Sequence, residues 1–237
     1  MTADRHPVTV AGAAKINLYL HVTGRREDGY HLLDSLVVFA DACDSVRLTL
    51  ANDFQLVVEG PYAGDVPTGP GNLVLKAAQS LREAAGVDAG ADIILHKNLP
   101  AASGIGGGSA DAAATVNGLV QLWELNGDAI DLAHLCLSLG ADVPVCQSGQ
   151  AAFMSGIGEQ ITPAPKLPPA WLVLVNPGVG LSTPAVFEAL RGETFSSPGQ
   201  FEQSPATAVE LAMAKITPAS TSLYSNPSIR YRMKNPA

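Results

Sequence analysis

Four glycines stand within five residues, Gly104, Gly106, Gly107 and Gly108, and they restrict the fold of this chain more than any other feature. The surrounding stretch reads Asn98-Leu99-Pro100-Ala101-Ala102-Ser103-Gly104-Ile105-Gly106-Gly107-Gly108-Ser109-Ala110-Asp111. Glycine lets the backbone approach a ligand closely, at an entropic cost that a plain connector would avoid. Residues 92–96 read as a strand leading into the loop, and Ser109 as the cap of an alanine-rich helix running to about Leu122. A helix start of this kind offers unpaired amides and a positive dipole end, which suit phosphate oxygens. Lys97, just before the loop, would add a cation.

Two standard nucleotide motifs are excluded. No Gly-x-x-x-x-Gly-Lys-[Ser/Thr] run occurs, so this is not a P-loop. The dinucleotide fingerprint is spoiled by Gly108-Ser109, and the acidic residue it requires could only be Glu124, at a helix end rather than on a second strand.

The loop sits in a globular composition: of 237 residues, 47% are hydrophobic and 15% charged, enough for one large domain or two modest ones. A net charge of −8, with no Lys/Arg cluster, argues against nucleic acid as a partner. An anionic small molecule must then be held by local devices. Residues 1–7 lack the basic-then-apolar pattern of a signal peptide, and no apolar run is long enough to span a bilayer. Cys43, Cys136 and Cys146 fit no metal-ligand spacing and read as buried thiols in a reducing compartment. The expectation is a soluble cytoplasmic protein without a membrane partner.

Along the chain there is no internal repeat. Residues 8–22 read as strand, with Ile16, Leu18, Leu20 and Val22 on one face and Lys15, Asn17, Tyr19 and His21 on the other. A charged turn follows at 24–29 and a short strand at 35–39. Residues 45–50 and 55–59 read as a hairpin around Ala51-Asn52-Asp53. Asn72 caps a helix to about Ala85, stopped by Gly86, and residues 128–139 form another, stopped by Gly140. Strands are expected at 150–154 and 171–176, on either side of a proline-rich boundary at 163–169. Ser182-Thr183-Pro184 marks a further helix start. The pattern is mixed α+β.

Three groups outside the loop could carry chemistry. Asp142, in Gly140-Ala141-Asp142-Val143-Pro144, is a candidate general base, and equally a turn or capping aspartate. Lys15 lies on a polar strand face, where a lysine is ordinarily solvated. Tyr30-His31 offers an aromatic ring beside an imidazole, a platform for a flat heterocycle. Neither zinc-like spacing nor a Ser-His-Asp order is found.

Taken together, Lys15-Ile16-Asn17-Leu18-Tyr19-Leu20, Asp28-Gly29-Tyr30-His31-Leu32-Leu33, the stretch 100–114 and Gly140-Ala141-Asp142-Val143-Pro144 resemble one family. It is the 4-diphosphocytidyl-2-C-methyl-D-erythritol kinase family of the GHMP kinase superfamily. The glycine loop is similar to the superfamily at large, and Asp28-Gly29-Tyr30-His31 narrows the likeness. The resemblance implies a two-domain α+β GHMP kinase fold: an N-terminal ATP-binding α/β domain over 1–160, and a partial ferredoxin-like C-terminal domain over 161–237. It implies ATP and Mg2+ as cofactors, a cytidine-diphosphate substrate and a place in non-mevalonate isoprenoid synthesis. Asp142 would take the proton of the acceptor hydroxyl, and Lys15 would stabilise the developing alkoxide and the transferring phosphoryl group. Asn17 would position substrate. Tyr30 and Phe187 would sandwich the cytosine, with His31 reading its polar edge and Thr183 nearby. Asn72, Leu73, Lys97 and Leu99 would line the adenine side, and Pro100 to Ala110 would wrap the phosphates, with Ser109 a magnesium contact.

The chain departs from the family at its end. No second glycine-rich segment follows Ser204, and residues 211–237 carry Lys215, Arg230, Arg232 and Lys234 with no acidic residue. Residues 224–237 have neither helical nor strand period. The expectation is a truncated or frame-shifted product with an incomplete second domain. A catalytically impaired nucleotide-binding remnant and another GHMP small-alcohol kinase remain alternatives on these residues.

Overall fold

The structure is a computed structural model that describes residues 6–175 and 230–232, with the single positions 186 and 195. The chain gathers into two compact units, each from two stretches. Unit 1 takes the residues up to Ala14 together with Ala42–Gly149, and unit 2 takes Lys15–Asp41 together with the described residues from Gln150 onward. The sequence division at 160/161 cuts the chain once, whereas these units interleave. The long strands β1 (Val8–Arg25) and β2 (His31–Ala51) contribute to both.

In unit 1, β2 pairs antiparallel with β4 (Gly90–His96) from Ser45↔His96 to Ala51↔Gly90. On its other edge β4 pairs parallel with β3 (Gln55–Glu59), from Gln55↔Asp92 to Glu59↔His96. The expected hairpin of 45–50 with 55–59 is therefore corrected: β4 lies between the two runs. The reason is burial. Ala91, Ile93 and Leu95 of β4 are at most 1% exposed, as an inner strand requires, and α1 (Leu73–Ala85) makes the crossover from β3 that parallel pairing needs. Gly90 admits this insertion, since a Cβ there would lie 2.3–2.5 Å from the Asp53 backbone.

The helices cover this sheet. Val74, Ala77, Ala78 and Leu81 of α1 pack with Ala112, Ala113, Val116 and Leu119 of α2 (Gly107–Leu122) over Val46, Leu48 and Ile93. Truncating a fully buried leucine such as Leu81 to alanine should cost about 2–5 kcal/mol. Gly118 allows α2 to approach closely: a Cβ there would fall 2.3 Å from Leu48 Cδ1. The caps expected for α1 are present. Asn72 Oδ1 accepts from Val74 N at 2.8 Å, and Gly86 takes the left-handed conformation at φ 61°. The helix expected over 128–139 is shorter; α3 is Leu132–Leu139, because Asp131 caps it by accepting from His134 N at 2.9 Å. A short helix not foreseen, α4 (Val143–Ser148), follows directly.

In unit 2, the first half of β2 pairs antiparallel with β5 (Ala152–Gly156), and β5 with β6 (Gln160–Pro163). Leu36 and Tyr19 pack with Phe153, and Val38 with Leu167 and Ile16. The expectation of no regular structure over 224–237 is corrected at three residues. There β8 (Arg230–Arg232) pairs antiparallel with β7 (Trp171–Val173). No described helix is long and apolar enough to cross a membrane.

Candidate active site

The glycine loop joins β4 to α2, the strand-to-helix connection expected. α2 starts two residues before the expected cap: Gly106, in the left-handed region at φ 67°, is the N-cap, and Ser109 lies inside the first turn. Gly104 is also left-handed at φ 77°, a conformation that side chains other than glycine's resist. Ala102 is held at φ 50°, a strained setting for an alanine. Ser103 Oγ donates to Pro100 O at 2.7 Å and folds the loop back on itself.

Gly108 differs from its neighbours. It is helical, and a Cβ added to it would meet nothing within 4 Å. Neither backbone conformation nor packing within the described residues demands glycine there, although glycine in a helix costs about 0.5–1 kcal/mol relative to alanine. A ligand brought against the backbone would supply the reason. The first amides of α2 have no intrahelical partner and stand at the positive end of the helix dipole. A nucleotide's phosphates fit this cradle.

Lys97 is not an unpaired cation on the loop. It is 2% exposed, and its ammonium binds the Asp44 carboxylate and, at 2.8 Å, Asp111 Oδ2. Asp44 Oδ1 also accepts from Asn98 N at 2.6 Å and Leu99 N at 2.8 Å. Burial works against the Lys97 charge, but Asp111 and Asp44 more than offset it and hold its pKa above the usual lysine value. Burial pushes the Asp111 carboxyl above the carboxylate range, with Lys97 pulling the other way. Neither aspartate was singled out from sequence. The only available signal was Asp111 placed at the start of an otherwise apolar helix.

Asp142 sits at the N-terminal boundary of α4, half-buried, with φ −86° and ψ −13°. Its side chain makes no capping hydrogen bond to that helix, which removes the capping reading. Lys15, expected to be solvated on a polar face, is 4% exposed. Burial along β1 does not follow the polarity of its two faces: Lys15 and Tyr19 are buried and Leu20 is 45% exposed, while Ile16, Asn17 and Leu18 are half-buried. Polar groups pair among themselves on the inner side. Lys15 Nζ donates to Asn17 Oδ1 at 3.0 Å, Asn17 Nδ2 to Ser35 Oγ at 2.6 Å, and Ser35 Oγ to Tyr19 O at 2.6 Å. Burial, with Asp34 beside it, pushes the Tyr19 phenol up.

The charged turn places Tyr30 outward, 60% exposed, and beside it half-buried His31. Gly29 at φ 92°, with Asp28 Oδ1 accepting from Tyr30 N at 3.2 Å, shapes the turn. Asn72 is 5% exposed, with Oδ1 on the α1 cap and Nδ2 donating to Pro67 O at 2.6 Å; Leu99 is buried and Leu73 half-buried. Thr183 and Phe187 lie outside the described residues. Among the described residues no three His, Cys, Asp or Glu side chains gather into a metal site.

Comparison with known proteins gives the family. The model of the GHMP kinases N terminal domain matches residues 72–156, which hold the loop and Asp142. The 4-diphosphocytidyl-2-C-methyl-D-erythritol kinase of Paramagnetospirillum magneticum is 53% identical over 206 residues, 87% of this chain and 72% of that relative. Its counterpart from Rhodospirillum rubrum is 49% identical over 207 residues, 87% of this chain and 68% of the relative. A crystal structure of 4-(cytidine 5'-diphospho)-2C-methyl-D-erythritol kinase superposes with a TM-score of 0.72 at 30% identity, covering 95% of this chain and 89% of that one. A homoserine kinase from Cytophaga hutchinsonii shares the fold at a TM-score of 0.61 and 20% identity. The chain is a small-molecule kinase of the GHMP fold and belongs to the 4-diphosphocytidyl-2-C-methyl-D-erythritol kinase family.

Proposed function

We propose that this chain transfers the γ-phosphoryl group of ATP to the 2-hydroxyl of 4-diphosphocytidyl-2-C-methyl-D-erythritol. The observation that carries the reading is the open glycine face of the loop at the start of α2, in a chain about half identical to kinases of that name. ATP, bound with Mg2+, supplies the phosphoryl group. Residues 100–110 wrap its phosphates, with Ser109 the candidate protein oxygen for the metal. Asn72, Leu73 and Leu99 line the adenine side, and Lys97, buried on two carboxylates, acts on the nucleotide through the loop.

Asp142 holds the proton lost by the acceptor hydroxyl. Lys15, held by Asn17, sets a positive charge against the oxygens that gain negative charge as the phosphoryl group moves. Exposed Tyr30 offers its face to the cytosine, with Phe187 opposite, His31 at its polar edge and Thr183 nearby. Little covalent work falls to the protein; positioning and charge supply the acceleration.

The test is a coupled assay of ADP release with the cytidine-diphosphate substrate, mevalonate and homoserine offered in turn. Turnover with the first and little with the others is expected. Preference for mevalonate or homoserine would overturn the substrate assignment.

A further inference from the structure

The buried cluster of Asp44, Lys97 and Asp111 reaches both ends of the glycine loop. Lys97 directly follows the strand before it, Asp111 stands in α2 after it, and Asp44 comes from β2. One carboxylate does three things at once: Asp44 accepts from the Lys97 ammonium and from the amides of Asn98 and Leu99, the first of the loop. Asn98 Nδ2 adds a bond to Cys43 O at 3.2 Å. The lysine's own backbone is pinned as well. Lys97 N donates to Glu59 O at 2.7 Å, and Gly60, at φ 97°, packs so closely that a Cβ would lie 2.6 Å from Lys97 O. At the other end, a Cβ on Gly107 would lie 3.5 Å from Lys97 Nζ and 3.8 Å from Asp44 Oδ2, so the cluster lies against the first residue of α2.

Stability alone is a poor reason for such a cluster, because apolar replacement of buried ions is often neutral or better. Its connections suit another purpose. We propose that Asp44, Lys97 and Asp111 are positioning residues that hold both ends of the glycine loop in its nucleotide-binding shape before the nucleotide arrives. Binding then incurs less ordering cost. Lys97 acts on the nucleotide through the loop. This rests on the reading of residues 103–109 as a phosphate cradle.

The experiment uses the full chain and two variants, Lys97→Met and Asp111→Asn. ADP affinity is measured by calorimetry, and hydrogen exchange by mass spectrometry over 98–106, with Leu73–Ala85 of α1 as the internal control for the fold. For Lys97→Met, exchange in the loop should quicken while α1 stays protected, and the ADP Kd should rise about tenfold or more. If Lys97→Met loses α1 protection, Asp111→Asn decides. It keeps an oxygen for Lys97 and should raise the Kd about threefold, with faster loop exchange and intact α1. Loop exchange and Kd both unchanged in a folded variant would reduce the cluster to a core ion pair. Absence of ADP binding by the unmodified chain would overturn the cradle reading instead, and loop exchange would still decide whether the cluster orders the loop.

Discussion

Two lysines of this chain are almost equally buried, and their partners differ. Lys97, 2% exposed, is matched in unit 1 by two carboxylates. Lys15, 4% exposed in unit 2, donates to the amide of Asn17, which Ser35 holds in turn. A buried lysine satisfied by carboxylates is fixed, and its charge is largely cancelled where it sits. An amide oxygen such as that of Asn17 orients a lysine while carrying no net charge of its own. Burial alone therefore does not mark a lysine as chemical; the partner decides what its charge does.

The largest effects should separate chemistry from binding. Asp142→Asn should lower turnover by about 10²–10⁴-fold with nucleotide affinity kept, measured by steady-state kinetics beside calorimetry. Near-normal turnover would remove Asp142 as the base. Lys15→Met should lower turnover by about 10²–10³-fold, because the transferring phosphoryl group loses a positive charge set against it. Lys97→Met probes the other side of the comparison. It leaves two carboxylates buried without their cation and should cost about 3–5 kcal/mol in urea unfolding. If Lys97→Met lost no stability, the reading of Asp44 and Asp111 as carboxylates that depend on that cation would collapse.

Gly108→Ala should sharpen the loop reading. The fold should hold or gain about 0.5–1 kcal/mol from the better helix former, while nucleotide affinity falls. Gly107→Val is expected to abolish ATP binding too, but it would press on Lys97 as well, so Gly108 gives the cleaner answer. Unchanged affinity in a Gly108→Ala protein of normal stability would refute close approach at that residue.

The smallest effect concerns pH. Burial raises the Asp111 carboxyl, so above the ordinary aspartate pKa the native state holds a proton that the unfolded chain has released. Its contribution to stability is full at lower pH and is lost as pH rises through the raised folded value. Asp111→Asn cannot titrate and should flatten that decline in urea midpoints. Parallel curves for the two proteins would show that the carboxyl does not titrate there.

Much of the glycine loop was legible because its requirements are local. Positive φ at Gly104 and Gly106, the Asn72 cap and the Gly86 stop are properties of a residue and its near neighbours. The helix start was misplaced by three residues because Gly106, with no side-chain bond, is the cap where Ser109 was expected to be. The buried side of β1 was not legible. Strict alternation gives two faces and does not say which faces inward, and the apolar face was the natural choice. Polar residues won at Lys15 and Tyr19 because their groups satisfy one another across to Ser35 and Asp34. The misread hairpin has the same origin: a short link invites pairing, but an inner position for β4 buries more apolar surface.

The sequence by itself determined the strand, glycine loop and helix in series, and placed Asp142 and the Tyr30 turn as candidate chemical groups. Only the tertiary structure decided that Lys97 is held in the interior, by Asp44 from 53 residues away and by Asp111 from 14 residues away across the loop. Backbone freedom is written in the residue that has it. The meeting of a buried charge with its partner is set by where strands and helices come to lie.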